Sequence, residues 1–264
     1  MRSGFKLACY NESTSELTFC EPADAVHDSY IVLAQNQMDI CLGRPLASDS
    51  STNTTSQFVY ANCDTMVLGE ILHRATGKDL QDYAEINLFS KIDLNAQWWR
   101  DNSDAQVGGN RLAYCCLDAT PRDFAKFGQL ILNNGLWDNE QIVPTEYIQE
   151  IKNIEYYGLQ FWAFTPTDQA ESSIYAALGV DDQLIIIDFD NQMVVVRNSL
   201  YQGLPIIGNQ RKMSLEIYSG LHLADVDFFS VSAPLTLPMS VLQSATGSSF
   251  SKHVFYKKIA ESLQ

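Results

Sequence analysis

The sequence predicts an α+β fold. Helical periodicity dominates the first part of the chain, to residue 155, four strand-like runs follow in close succession, and one amphipathic helical segment closes the chain. On this reading residues 1–264 form a single domain. It has a mostly helical region, 1–155, then an antiparallel sheet with a C-terminal helix, 156–264.

Residues 1–57 read as loop-rich, and the polar stretch Ser48–Ser56 is expected on the outside. A helix is predicted next, with Asn62 or Asp64 as N-cap. Leu68, Ile71, Leu72 and Ala75 recur at helical spacing and predict its buried face, and Gly77 suits the position just past its end. Asp79 is placed to cap a second helix through Leu80, Tyr83, Ala84 and Leu88. The third helix has the fullest set of signals. Thr120 caps it, Pro121 occupies its first position, and Asp123 meets the positive end of the dipole. Phe124, Phe127 and Ile131 form its apolar stripe before Asn134-Gly135 stops it. Pro144 opens a short helix through Tyr147, Ile148 and Ile151.

The period then changes. Gly158–Phe164, Ile174–Leu178, Leu184–Asp188 and Met193–Asn198 read as four strands of a meander. Ile185-Ile-Ile187 and Val194-Val-Val196 are β-branched runs suited to central strands. A last helix is predicted from His253, with Phe255, Ile259 and Leu263 on one side.

Composition limits function. The net charge of -15 argues against a nucleic-acid or anionic-membrane surface. No run of 18 apolar residues exists to form a transmembrane helix. No Cys/His spacing suggests zinc, and no cofactor is expected. The six cysteines are Cys9, Cys20, Cys41, Cys63, Cys115 and Cys116. They suit either disulfides in an oxidising compartment or reduced, partly buried thiols. Adjacent Cys115-Cys116 reads as a vicinal disulfide or as two thiols on opposite faces of a strand, and the second is preferred.

Tyr60-Ala61-Asn62 stands at the entrance of the first predicted helix and sets a phenol and an amide two residues apart. Taken alone it reads as a half-buried aromatic beside an N-cap. Its surroundings say more. Phe58-Val-Tyr-Ala-Asn-Cys-Asp64, Leu68-Gly69-Glu70-Ile71-Leu72 and Thr76-Gly77-Lys78 resemble the serine β-lactamase and penicillin-binding-protein superfamily. Within it, the class C-like branch of esterases and 6-aminohexanoate-dimer hydrolases is the nearer match. Ala113–Gly128, Asn134-Gly-Leu-Trp137, Gln141-Ile-Val-Pro144 and Ala177–Gln183 follow in the family's order.

The resemblance implies acyl transfer. A serine of a Ser-x-x-Lys motif attacks an amide, ester or lactam carbonyl, while the lysine and the Tyr-x-Asn tyrosine shuttle its proton. It makes Tyr60 the general acid/base and Asn62 the positioner. The demand on such a phenol is large, since moving a pKa from about 10 to 7 corresponds to roughly 4 kcal/mol. It also implies small-molecule substrates. Oxidised cysteines would suit a periplasmic or secreted location, and reduced ones leave the cytoplasm open.

Two departures accompany it. Met1-Arg-Ser-Gly-Phe5 resembles a family loop that follows the nucleophile helix, so the alignment puts the leading strands and the nucleophile before Met1. Ser3-Gly-Phe-Lys6 satisfies Ser-x-x-Lys literally, but Gly4 would weaken the first turn of a helix. In the family's third motif, Gly179, Val180 and Asp181 stand where one backbone N–H completes the oxyanion hole, and Asp181-Asp182 would oppose the developing charge unless turned away. The expectation is a serine hydrolase cleaving an amide or ester, inactive as this shortened chain. The alternatives are a non-catalytic binding relative and a fragment that does not fold stably.

Overall fold

The computed structural model describes residues 3–11, 13–14, 16–21, 31, 34, 36–47, 58–101, 109–164, 173–179, 183–198 and 252–262. Among these, one compact unit runs to Thr120 and another starts at Pro121. The polar stretch Ser48–Ser56 lies outside the described residues.

The first unit opens with structure where loop was expected. β1 (Leu7–Asn11) pairs antiparallel with β2 (Glu16–Cys20), Leu7 opposite Cys20 and Asn11 opposite Glu16. A Cys9–Cys20 disulfide ties the two strands. The tip is shaped by Asn11, whose side-chain carbonyl accepts from the Ser13 N–H at 3.0 Å, a local turn that hydrophobic patterning does not reveal. α1 (Gln37–Leu42) is capped by Asn36, which accepts from the Asp39 N–H at 3.2 Å.

α2 (Asn62–Thr76) ends as predicted, with Gly77 in the left-handed region at φ 67° and its N–H bonded to the His73 carbonyl. Its start and its buried face differ. Ala61 holds the N-cap position, so Asn62 and Asp64 lie inside the first turn. Leu68 and Ile71 are 53% and 56% exposed, whereas Cys63 and Met66 are buried. The periodic stripe is thus not the inward one. A disulfide from Cys63 to Cys41 of α1 turns the Cys63–Met66 face into a core shared with Ala8, Met38 and Leu112. On that inward side Gly69 lies so near Ala113 that an added Cβ would stand 2.7 Å from the Ala113 Cβ.

α3 (Leu80–Ala84) continues into a π-helical turn over Glu85–Phe89. Its Asp79 cap is also the centre of an ion cluster. The carboxylate accepts from the Gln81 N–H at 2.8 Å, Arg111 Nε at 2.9 Å and Arg100 Nη2 at 2.6 Å. Burial alone would raise the Asp79 pKa, but the Gln81 N–H and the two guanidiniums outweigh it and hold the carboxyl below its ordinary value. β3 (Ala96–Trp98) and β4 (Leu117–Ala119) pair nearby.

The second unit begins with α4 (Pro121–Leu132), stopped by Asn134 and Gly135, at φ 55° and 82°. A short hairpin of β5 (Leu136–Trp137) and β6 (Glu140–Gln141) leads to α5 (Thr145–Lys152). The predicted meander follows, with its first run split into β7 (Tyr157–Gly158) and β8 (Phe161–Ala163). Leu159 and Gln160 make that turn with φ 51° and 68°, a conformation neither residue type signals. β9 (Ile174–Leu178), β10 (Leu184–Asp188) and β11 (Met193–Arg197) complete an antiparallel sheet in the order β11-β10-β9-β8-β7.

Strand alternation explains why both faces are apolar. Tyr175, Ile185 and Ile187 pack with Ile131 of α4 and Ile148 and Ile151 of α5. Ala176, Leu184 and Ile186 face the other way, toward Tyr256 of α6 (Lys252–Ser262). Gly128 lets α4 approach the sheet, since a Cβ there would meet Val194 Cγ1 at 2.5 Å. α6 is fixed at a polar point as well. The Tyr256 hydroxyl donates to the fully buried Asp188 carboxylate, which also accepts from the Asp190 and Asn191 N–H groups at 3.0 and 2.9 Å.

Candidate active site

Tyr60 lies in non-helical backbone directly before α2 and is half-buried. Ala61, between Tyr60 and Asn62, is extended, with φ -138° and ψ 115°. Asn62 is the first helical residue and also half-buried. Ala61, which occupies the N-cap, makes no side-chain cap hydrogen bond. Tyr60 and Asn62 are thus both half-exposed at the helix entrance, followed in sequence by the buried Cys63 and Met66.

The Ser3/Lys6 pair has no catalytic geometry. A Ser-x-x-Lys pair needs a helical turn to bring hydroxyl and ammonium together. Here Phe5 bridges to Leu46, and the Lys6 N–H donates to the Pro45 carbonyl at 3.0 Å, so the backbone is extended. Ser3 Oγ donates to Asp64 Oδ1 at 2.7 Å, and Lys6 Nζ pairs with Glu21 at 2.8 Å. The two side chains serve different partners.

In the second unit, Gly179 is exposed and its N–H donates to the Gln183 carbonyl at 2.8 Å, closing the β9–β10 connection. That N–H is consumed by the hairpin. Val180 and Asp181, the other two residues proposed around an oxyanion, lie outside the described residues, as does Asp182.

The cysteines are all paired among themselves: Cys9–Cys20, Cys41–Cys63 and Cys115–Cys116. The last corrects the preferred reading of two thiols on opposite strand faces. Residues 113–116 form a turn, and Cys116 takes φ 65°, so adjacent sulfurs meet instead of alternating. Sequence inspection also missed a buried ion pair beside the candidate site. Arg44 Nη2 meets Asp64 Oδ1 at 3.1 Å, with Arg44 only 5% exposed. The one signal for it was an arginine in an otherwise apolar Cys-Leu-Gly-Arg-Pro-Leu run. Among the described residues, no group of His, Cys, Asp or Glu side chains is arranged to hold a metal ion.

This assembly of a disulfide-tied helical unit and a helix-backed antiparallel meander has the fold of the β-lactamase-like serine hydrolases. A Bacillus anthracis protein described as "Putative 6-aminohexanoate-dimer hydrolase" superposes with a TM-score of 0.59 at 25% identity. The match covers 83% of this chain and 58% of that one, so the chain spans less than two thirds of this relative's length. A "putative beta-lactamase" from Bacteroides dorei aligns at 16% identity and a TM-score of 0.42, over 61% of this chain and 57% of that one. That resemblance is too distant to bear on function. No family model matches the sequence, and no curated protein does.

Proposed function

We propose that this chain carries part of the acyl-transfer site of a β-lactamase-like hydrolase that cleaves an amide or ester through an acyl-serine intermediate. Tyr60 relays the proton, and Asn62 orients the partner lysine or the substrate amide. The attacking hydroxyl adds to the carbonyl carbon and the amine or alcohol leaves with a proton. Water then hydrolyses the acyl ester. The substrate is a small amide, ester or lactam. The observation that supports this reading is that Tyr60 and Asn62 both lie half-buried at the entrance of a helix, on either side of an extended Ala61. On this reading Ser3 is not the nucleophile, since Ser3 and Lys6 are engaged with different partners. Three disulfides support an oxidising, periplasmic or secreted setting.

The test is labelling with a fluorescent fluorophosphonate and a fluorescent penicillin, followed by mass-spectrometric location of the modified serine. It is run on this chain and on one extended by the residues encoded in frame upstream of Met1. The expected result is label at a Ser-x-x-Lys serine other than Ser3. Its formation should slow by about 10²–10⁴-fold in Tyr60→Phe, the usual worth of general acid–base help. Label at Ser3, or a folded extended chain that takes none, overturns the proposal. The second of these outcomes, with noncovalent binding retained, favours a non-catalytic relative.

A further inference from the structure

The first turn of α2 is held by an unusual concentration of tethers. Cys63 is fully buried and bonded to Cys41 across 22 residues, with the two Cα atoms 5.1 Å apart. Asp64, the next residue, accepts from Ser3 Oγ at 2.7 Å and from Arg44 Nη2 at 3.1 Å. Arg44 is fixed in turn. Its Nε donates to the Cys41 carbonyl at 3.1 Å, and its guanidinium lies over the Phe5 ring at 5.4 Å. The loop therefore closes on itself, from Cys63 through the disulfide to Cys41, through Arg44 to Asp64, and so back to the residue beside Cys63.

Stability is a poor explanation for this arrangement. The Arg44 side chain is 3% exposed, and its buried Nη1 has no hydrogen-bond partner among the described residues. Burying a guanidinium costs several kcal/mol, and an apolar pair of similar volume usually does as well or better. What such a pair supplies is direction. Asp64 at the third helical position already suits the positive dipole end, and Arg44 fixes which way that turn faces. Residues 60–62 enter the helix immediately before it.

We infer that Arg44 and Asp64 are positioning residues that fix the orientation of Tyr60 and Asn62 through the first turn of α2, with the Cys41–Cys63 disulfide as the backstop. This rests on the reading of Tyr60 as a proton relay, but its test does not need acylation. The full 264-residue chain is labelled with 3-fluorotyrosine, and the Tyr60 fluorine resonance is assigned by its loss in Tyr60→Phe. The double variant Arg44→Met/Asp64→Leu replaces the ion pair by apolar side chains. The expected result is a cooperative melt near that of the parent, with the single Tyr60 resonance broadened or split. Arg44→Lys, which keeps the charge opposite Asp64, retains the single line of the parent. A folded double variant with an unchanged Tyr60 line overturns the inference. Should the double variant not fold, Asp64→Asn decides by the same criterion. Serine labelling of the extended chain reports on the hydrolase reading alone, so either idea can fail without the other.

Discussion

Ser3 Oγ donates to Asp64 Oδ1 at 2.7 Å while Lys6 Nζ meets Glu21 Oε1 at 2.8 Å, so the literal Ser-x-x-Lys of this chain is pulled apart. Ser3→Ala should leave the covalent labelling pattern unchanged. It should cost about 1 kcal/mol or less, the typical net worth of one hydrogen bond at an exposed site. Gel fluorescence and a thermal melt on the same sample measure both, and loss of label in Ser3→Ala would restore that serine as a nucleophile.

The Cys41–Cys63 bond joins α1 to the entrance of α2 across 22 residues. By the chain-entropy argument, closing a loop of that length is worth about 3 kcal/mol. Cys115–Cys116 spans adjacent residues and closes no comparable loop. Replacing both members of each pair by alanine should therefore separate them in denaturant unfolding, the first variant losing about 3 kcal/mol and the second much less. Equal losses would show that packing, not loop closure, governs both.

Asp79 combines two roles that substitutions can divide. Asparagine also caps helices well, so Asp79→Asn keeps the bond to the Gln81 N–H and loses the charge facing Arg100 and Arg111, whereas Asp79→Ala loses both. Alanine should cost roughly 1 kcal/mol more than asparagine at neutral pH. The folded-state pKa of Asp79 is lowered, so its contribution is present above the ordinary value of 3.8 and lost as pH falls through the folded value. Stability curves for the parent and Asp79→Asn should converge in acid. A constant gap across that range would remove the ion cluster from the account.

These residues also mark how far patterning reaches. α4 was legible because Pro121, Asp123 and Gly135 act locally, each through its own backbone chemistry. The strands β9 to β11 were legible because β-branched runs suit a sheet buried on both faces. α2 was legible in extent but not in orientation. Leu68 and Ile71 kept helical spacing yet face outward, because a disulfide 22 residues long decides which side of the helix turns in. β1 and β2 were missed although Glu16-Leu-Thr-Phe19 alternates as a half-buried strand does. The run is short, and its pairing is set by the Asn11 turn and a disulfide rather than by a long apolar stretch. At the site, Tyr60 and Asn62 were visible as a motif, whereas Arg44 was not. Its partner lies 20 residues away, and no local signal encodes a pair that only the folded chain brings together.

The Tyr256–Asp188 contact ties α6 to the sheet and gives this unit an alkaline limit. Burial raises the Tyr256 pKa well above its ordinary value of 10.0, and the hydrogen bond to Asp188 adds to the shift, since an ionised phenol would face a carboxylate. A raised folded-state pKa means stability that is fully present below the unfolded value and lost as pH rises through the folded one. Unfolding free energy should therefore decline above about pH 10, where the unfolded chain releases this proton first. Tyr256→Phe removes a donor from a buried carboxylate and should cost about 1.5–3 kcal/mol at neutral pH. Above pH 10 its curve should fall less steeply than that of the parent, so the gap narrows. The other tyrosines titrate in both proteins, so the difference between the two curves isolates position 256. Parallel curves from neutral to alkaline pH would show that this hydroxyl does not anchor the helix through Asp188.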